Sequence, residues 1–147
     1  MPDRLWSMAE PRARVLSFAV DLDEKGTAAS DRGGTPLADD PDAWTPEHLL
    51  LAALARCTIT SLRHHARRAG SAVAATATAR GTVTRRETDG RFAFVEIELA
   101  ITASLDPAPA DDALTAILEK AERDCFVGAS LSVPPSYRFT IDGRATG

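Results

Sequence analysis

Two cysteines are the residues of this sequence most capable of chemistry. Cys57 and Cys125 are its only cysteines and lie 68 residues apart. That spacing excludes a Cys-x-x-Cys redox motif and does not fit a zinc finger. A thiolate can attack an electrophile or exchange with a disulfide, whereas a buried thiol packs like a small apolar side chain. The spacing alone leaves both interpretations open, a redox pair or two structural thiols.

The histidines are not placed to form the active site of a cysteine hydrolase or a metal site with either cysteine. His64 shares a helical face with Cys57 but lies two turns on, roughly 10 Å along the axis, too far for a nucleophile and its base. His64 and His65 are adjacent, so their side chains point about 100° apart on a helix and make a poor chelate, with or without His48. We therefore expect no metal and no organic cofactor.

Basic residues form two short clusters, which we interpret as structural. Residues 63–68 read RHHARR at the end of a predicted helix, where cations interact favourably with the helix dipole. Arg85 and Arg86 adjoin a predicted turn and are typical of a solvated strand edge. With 17 basic and 21 acidic residues the net charge is −4. A nucleic-acid partner is therefore not expected.

The element that carries Cys57 is predicted to be a long helix. Thr45 is a suitable N-cap, Pro46 suits the first helical position and Glu47 the first turn, and helix-forming residues continue to about Ala69 before Gly70. Its middle reads LLLAALARCTITSL, with Arg56 as its only charge. A helix that is apolar almost all round is buried on most sides. We therefore expect a homodimer.

The other predicted elements are strands and one shorter helix. Residues 14–23 alternate as in a strand and could form a hairpin with residues 27–31. A second hairpin is predicted, with one strand that ends at Arg86 and another that spans Arg91 to Ser104. Alternate residues of its second strand are predicted to be buried, namely Val95, Ile97, Leu99 and Ile101. Asp111 or Asp112 is expected to cap a helix to about Asp124 with Cys125 at its end, and a last strand covers about residues 136–141.

Length and composition favour one ordinary domain. With 147 residues, 44% of them hydrophobic, we expect an irregular leader at 1–12 and a single domain at 13–147. The longest apolar stretch is too short to span a membrane, and residues 1–11 lack a signal-peptide centre. We therefore expect a cytoplasmic protein without a membrane partner. In that reducing compartment, two paired cysteines would be redox-active.

Two segments together resemble one known family. Residues 44–57, WTPEHLLLAALARC, and residues 124–131, DCFVGASL, resemble the OsmC/Ohr family of thiol-dependent peroxidases. The shared features are a Pro-Glu that opens the central helix, a cysteine ten residues after that glutamate, and a second cysteine at the end of the next helix. The resemblance spans most of the chain.

The resemblance implies both a fold and an activity. The fold is α+β, with antiparallel sheets wrapped around a long central helix plus a second helix in an intertwined homodimer. Cys57 would be the peroxidatic thiolate and Cys125 the resolving thiol, joined in a disulfide after oxidation. The implied substrate is an organic hydroperoxide, and the implied reductant is an external dithiol, for which a lipoyl-type dithiol is a candidate.

The family also implies an arginine, held by the helix glutamate, that activates the first cysteine. Glu47 matches that glutamate by spacing, although an acidic residue in a first turn also stabilises a helix whatever its function. The arginine usually lies in the N-terminal hairpin, where residues 23–26 read DEKG. Arg32 is the substitute candidate, Arg14 the second and Arg56 the third.

That departure from the family pattern keeps an alternative function open. A protein with this fold could bind a small lipophilic ligand in its apolar pocket and have weak or no peroxidase activity. A low pKa of Cys57 would argue against this alternative, because a thiol that serves only for packing needs no activation.

Overall fold

The structure is a computed structural model that describes residues 15–146. The chain divides into two compact units between Ala43 and Trp44. The predicted leader and Arg14 lie outside the described residues. Among residues 15–146, every helix is too short or too polar to span a lipid bilayer.

The first unit contains a short hairpin. Strands β1 (Val20–Leu22) and β2 (Ala28–Ser30) pair antiparallel. The Asp23 carboxylate shapes the turn, because it accepts hydrogen bonds from the backbone N–H groups of Lys25 and Thr27, both at 2.9 Å. The predicted hairpin is confirmed, but its first strand is shorter than residues 14–23. The second strand ends at Ser30, and the chain then turns through two glycines of positive φ at positions 33 and 34.

The second unit begins with the long helix α1, which spans Pro46–Arg68. Thr45 is the N-cap: its hydroxyl accepts from His48 N at 3.4 Å, and His48 Nδ1 accepts from Thr45 N at 3.3 Å. This reciprocal capping satisfies two backbone donors that the helix leaves unpaired. The helix stops before Gly70, whose φ of +93° favours glycine. The predicted start and end are confirmed.

Four strands form the sheet of the second unit in the order β3-β4-β5-β6. They span β3 (Ala72–Arg85), β4 (Phe92–Asp106), β5 (Ser136–Ile141) and β6 (Arg144–Thr146). The β3–β4 and β5–β6 pairs are antiparallel, whereas β4 and β5 are parallel because the chain crosses between them through helices. Strand β6 was not predicted. It follows a tight turn in which Asp142 and Gly143 have positive φ.

A β-bulge changes which residues of β4 face the core. Thr82 pairs with Glu96 and Val83 pairs with Phe94, so Val95 has no partner in the ladder. The extra residue inverts the alternation from that point towards the start of the strand. The prediction that Val95 shares the buried face is therefore wrong: Val95 is 38% exposed, while Phe94 packs against the core.

Two helices fill the crossover between β4 and β5. Helix α2 spans Asp111–Arg123 and the single-turn helix α3 spans Phe126–Ser130. The N-cap of α2 is Ala110, which offers no side-chain hydrogen bond, so the predicted cap at Asp111 or Asp112 is wrong. Both aspartates lie in the first turn, where their charge favours the helix dipole. Helix α3 was not predicted.

The core of the second unit lies between the helices and the sheet. Buried side chains of α1 and α2 pack against alternate residues of β4 and β5, and the largest are Leu54, Leu62, Ile97, Leu99, Ile101, Ile141 and Phe139. Residues Leu49, Ala52 and Ala53 of α1 remain exposed. Helix α1 is therefore covered on one side only, although its sequence is apolar almost all round.

Candidate active site

The fold brings the two cysteines together. Cys57 lies in the middle of α1 and is half-buried, whereas Cys125 is fully buried at the start of α3. Both are free thiols, and Cys125 lies near enough to Cys57 to raise the pKa of the Cys57 thiol. Contacts between α1 and α3 therefore bring together two residues that are 68 positions apart.

Burial dominates the electrostatics of Cys57. Desolvation raises the pKa of the thiol above its ordinary value, because a thiolate loses hydration inside the protein. Backbone N–H groups of Val127 and Phe126, in the first turn of α3, lower the pKa, and the neighbouring Cys125 raises it. The net direction is upward, so the described surroundings of Cys57 favour the neutral thiol.

Cys125 is held by a network of polar groups. Its sulfur lies 3.3 Å from Thr58 Oγ1, and Gly128 N donates to it at 3.4 Å. The Thr58 hydroxyl donates its proton to Leu54 O at 3.0 Å. Because a hydroxyl has only one proton, the Cys125 thiol is the donor to Thr58. This network fixes the position of Cys125 next to α1.

Tyr137 of β5 lies next to Cys125. Burial raises the pKa of its phenol to about 12, and the adjacent Cys125 acts in the same direction. The phenolic oxygen lies close to Gly128: a Cβ at that position would overlap Tyr137 Oη and lie 3.4 Å from Cys125 Sγ. Only glycine therefore fits between Cys125 and Tyr137 without displacing one of them.

A cavity of about 420 Å³ opens beside Cys57. Cys57, Ser61 and His65 line it along one side of α1, and Asp124 and Phe126 line it from the segment after α2. His65 Nε2 lies 2.8 Å from Asp124 Oδ2, a distance typical of an ion pair. The cavity is large enough for a small organic substrate in contact with the thiol.

The carboxylate of Asp124 stays ionised well into the acid range. Its hydrogen bonds with Arg123, both 2.9 Å, are the main cause that lowers its pKa to about 2, and His65 contributes in the same direction. The rim of the cavity therefore has a fixed negative charge beside an imidazole.

The Glu47 carboxylate and the Arg56 guanidinium are not among the groups that shift the pKa of Cys57. Glu47 is exposed in the first turn of α1, ten residues before the cysteine and thus about 15 Å away along the axis. Arg56 faces a different groove, which it lines together with Trp44 and His48. The predicted role of Glu47, to hold an arginine, stays a prediction.

Arg32 lies in the first unit. Its guanidinium is 4.6 Å from the centre of the Phe18 ring and donates to Ser17 O at 3.4 Å. Within the part of the chain that the structure describes, the groups that shift the pKa of Cys57 include no arginine. The role of Arg32 therefore also stays a prediction.

Sequence reasoning did not identify several residues around the thiols. Thr58 follows Cys57 in sequence, but only the fold places its hydroxyl against Cys125. Asp124 precedes Cys125, but only the fold places it at the cavity beside Cys57. Tyr137 lies on a distant strand and has no local signal. Ser61 had a usable signal, because four residues from Cys57 is one helical turn. Across residues 15–146, no three histidine, cysteine, aspartate or glutamate residues are grouped as metal ligands would be.

The chain is similar to proteins of one family. The family described as OsmC-like protein matches residues 39–139. An OsmC-like protein of unknown function from Vibrio cholerae is 15% identical with a TM-score of 0.68, over 85% of this chain and 99% of that one. An OsmC-like protein from Mycoplasma pneumoniae is 18% identical with a TM-score of 0.66, over 88% and 99%.

A solved structure with a functional name has the same fold. An organic hydroperoxide resistance protein from Elizabethkingia anophelis is 20% identical with a TM-score of 0.62, over 88% of this chain and 98% of that one. No curated protein matches the sequence at a significant level. At these identities the solved structures confirm the predicted α+β fold.

Proposed function

Because the chain belongs to the OsmC-like protein family, we propose that it is a thiol-dependent peroxidase that reduces organic hydroperoxides. The observation that carries this proposal is the proximity of Cys57 and Cys125 beside a cavity that opens on Cys57. A peroxidase of this type needs an accessible thiol for the peroxide and a second thiol within reach of the first. The half-buried Cys57 suits the first role, and the buried Cys125 suits the second.

The reaction has two steps in the protein. The Cys57 thiolate attacks the terminal oxygen of the hydroperoxide, the O–O bond breaks, and the alcohol leaves after taking up a proton. The sulfur loses two electrons and becomes a sulfenic acid. The Cys125 thiol then attacks that sulfur, water leaves, and a Cys57–Cys125 disulfide forms. An external dithiol, for which a lipoyl-type dithiol is a candidate, reduces the disulfide by exchange.

Efficient attack requires a group that favours the thiolate. The backbone N–H groups of α3 act in that direction but do not outweigh burial. A positive charge beside Cys57 would lower its pKa further. We assign this role to Arg32, with Glu47 orienting it, and keep Arg14 and Arg56 as the second and third candidates.

The proposed assembly is a homodimer. In the second unit Leu49, Ala52 and Ala53 leave part of α1 uncovered, and in the first unit Val20 and Leu22 are 68% and 70% exposed. An isolated two-stranded hairpin is marginally stable in water. A second copy of the chain would bury both surfaces. The proposed location is the cytoplasm, where reduced dithiols keep the thiols available.

Single-turnover oxidation tests the function. The reduced protein is mixed with one equivalent of cumene hydroperoxide or, separately, hydrogen peroxide, and thiol loss and disulfide mass are followed. We expect rapid disulfide formation, faster with the organic peroxide. Cys57→Ser should abolish the reaction, and Cys125→Ser should stop it at the sulfenic acid. Oxidation no faster than that of a free thiol, without preference between peroxides, would overturn the proposal.

One observation favours a second candidate. The raised pKa of Cys57 is what a thiol that serves only for packing would show. On this alternative, the cavity beside Cys57 binds a small lipophilic ligand and peroxidase activity is weak or absent. Slow, unselective oxidation together with binding of an apolar fluorescent probe that Cys57 alkylation displaces would support it.

A further inference from the structure

Ser61 occupies an unusual position beside Cys57. It follows Cys57 by one turn of α1, so their Cβ atoms are roughly 5–6 Å apart. Ser61 is only 8% exposed and lines the cavity that opens on the thiol. Among residues 15–146, no group forms a hydrogen bond with its Oγ. A buried hydroxyl without a partner is costly, and such groups in folded proteins call for an explanation.

The other helical hydroxyls in the described part of the chain show how easily Ser61 could avoid this cost. Each donates to the carbonyl oxygen four residues earlier, at 2.7–3.1 Å, and these residues are Thr58, Thr60, Thr115 and Ser130. The same bond for Ser61 would go to the carbonyl of Cys57. Ser61 does not form it, so its hydroxyl remains available to a molecule in the cavity.

We propose that Ser61 is a catalytic residue whose hydroxyl donates a hydrogen bond to the leaving oxygen of a hydroperoxide attacked by Cys57. This inference rests on the peroxidase function proposed above. Cys57 and Ser61 line the same cavity one helical turn apart, so a hydroperoxide whose terminal oxygen meets the Cys57 sulfur can place its second oxygen next to the Ser61 hydroxyl. The two side chains thus hold opposite ends of the O–O bond.

The hydrogen bond acts on the charge that develops during the reaction. As the S–O bond forms and the O–O bond breaks, the electron pair of the O–O bond moves to the oxygen that carries the organic group. This oxygen becomes an alkoxide and takes a proton from solvent, which balances the proton lost when the Cys57 thiol ionised. A fixed donor aimed at developing negative charge lowers the barrier more than it stabilises the bound substrate.

The dependence on the leaving group separates this role from packing. An alkoxide is a strong base and gains much from a donor, whereas a carboxylate leaving group gains little. For Ser61→Ala we expect kcat/KM with tert-butyl hydroperoxide to fall at least about tenfold. With 3-chloroperoxybenzoic acid, which releases a carboxylate, the fall should be under about threefold. Attack of Cys57 on an aromatic disulfide such as 5,5′-dithiobis(2-nitrobenzoic acid) should keep its rate.

Two variants serve as controls. Ser61→Thr keeps the hydroxyl and should recover most of the lost rate with tert-butyl hydroperoxide. Thr115→Ala removes a helical hydroxyl on α2 that already bonds Asp111 O at 3.1 Å and should leave all three rates unchanged. The melting temperature of Ser61→Ala should not fall, because the substitution removes a buried polar group that has no protein partner.

The outcomes distinguish the two proposals. If the unmodified protein reacts with peroxides no faster than a free thiol, the peroxidase function fails and the role of Ser61 fails with it. If that protein is active and Ser61→Ala loses equal factors with all three reagents, or loses nothing, only the role of Ser61 is overturned.

Discussion

Replacing Gly128 by alanine should harm the protein only while the Tyr137 hydroxyl is present. A Cβ at position 128 would overlap Tyr137 Oη, and its next neighbours would be Cys125 Sγ at 3.4 Å and Leu54 Cδ1 at 3.6 Å. Tyr137→Phe removes the overlapping atom and leaves the two remaining contacts, which a small adjustment can accommodate. Gly128→Ala is therefore expected to lower the free energy of unfolding when Tyr137 is present, and to leave it unchanged or raise it in the Tyr137→Phe background.

Two opposing terms determine the size of the effect. Overpacking a closely packed site costs about 1–3 kcal/mol, whereas alanine in place of glycine inside a helix gains about 1 kcal/mol. Gly128→Ala alone should therefore lower the free energy of unfolding by up to about 2 kcal/mol. In the Tyr137→Phe background the same change should be neutral or raise it by up to about 1 kcal/mol. The coupling energy between the two positions is then about 1–3 kcal/mol.

Urea unfolding of the four proteins, followed by circular dichroism at one protein concentration, measures this coupling. The four m-values should agree, so that midpoints report stability alone. A second readout is disulfide formation with cumene hydroperoxide, which Gly128→Ala should slow by displacing Cys125 and which the double variant should recover. If the cost of Gly128→Ala is the same in both backgrounds within about 0.5 kcal/mol, the placement of Tyr137 over Gly128 is refuted.

Three further predictions concern charge and packing. Arg32→Gln should raise the pH at which alkylation of Cys57 by iodoacetamide levels off, because burial then raises the pKa of the thiol without an opposing cation. Coincident pH profiles of the variant and the unmodified protein would exclude Arg32 as the activating residue. Asp124 has a folded pKa of about 2 against about 3.9 unfolded, so its contribution to stability is present above about pH 4 and lost towards pH 2. Asp124→Asn should therefore flatten the fall of the melting temperature over that window, and an unchanged slope would contradict this origin. Gly81→Ala would place a Cβ 2.5 Å from Phe94 Cε1 and should cost about 1–3 kcal/mol; a loss that persists in a Phe94→Leu background would show that the ring is not the obstacle.

Local signals accounted for most elements of the fold. The caps around Thr45 and Gly70 placed α1 to within a residue, because capping depends on neighbouring residues and on backbone conformation. The hairpin of β3 and β4 was predicted from composition and from the apolar side chains at alternate positions of its second strand. Val95 was placed on the wrong face because a bulge depends on how two strands pair, and alternation within one strand does not reveal it.

The sequence by itself determined the family, the helix that carries Cys57 and the spacing that puts Ser61 on the same face. These features are local or follow from a motif. Only the tertiary structure decided that Cys57 lies near Cys125, that Tyr137 leaves no room for a side chain at Gly128, and that the Ser61 hydroxyl has no partner among the described residues. Such features depend on contacts between elements far apart in the chain, and no local pattern specifies them.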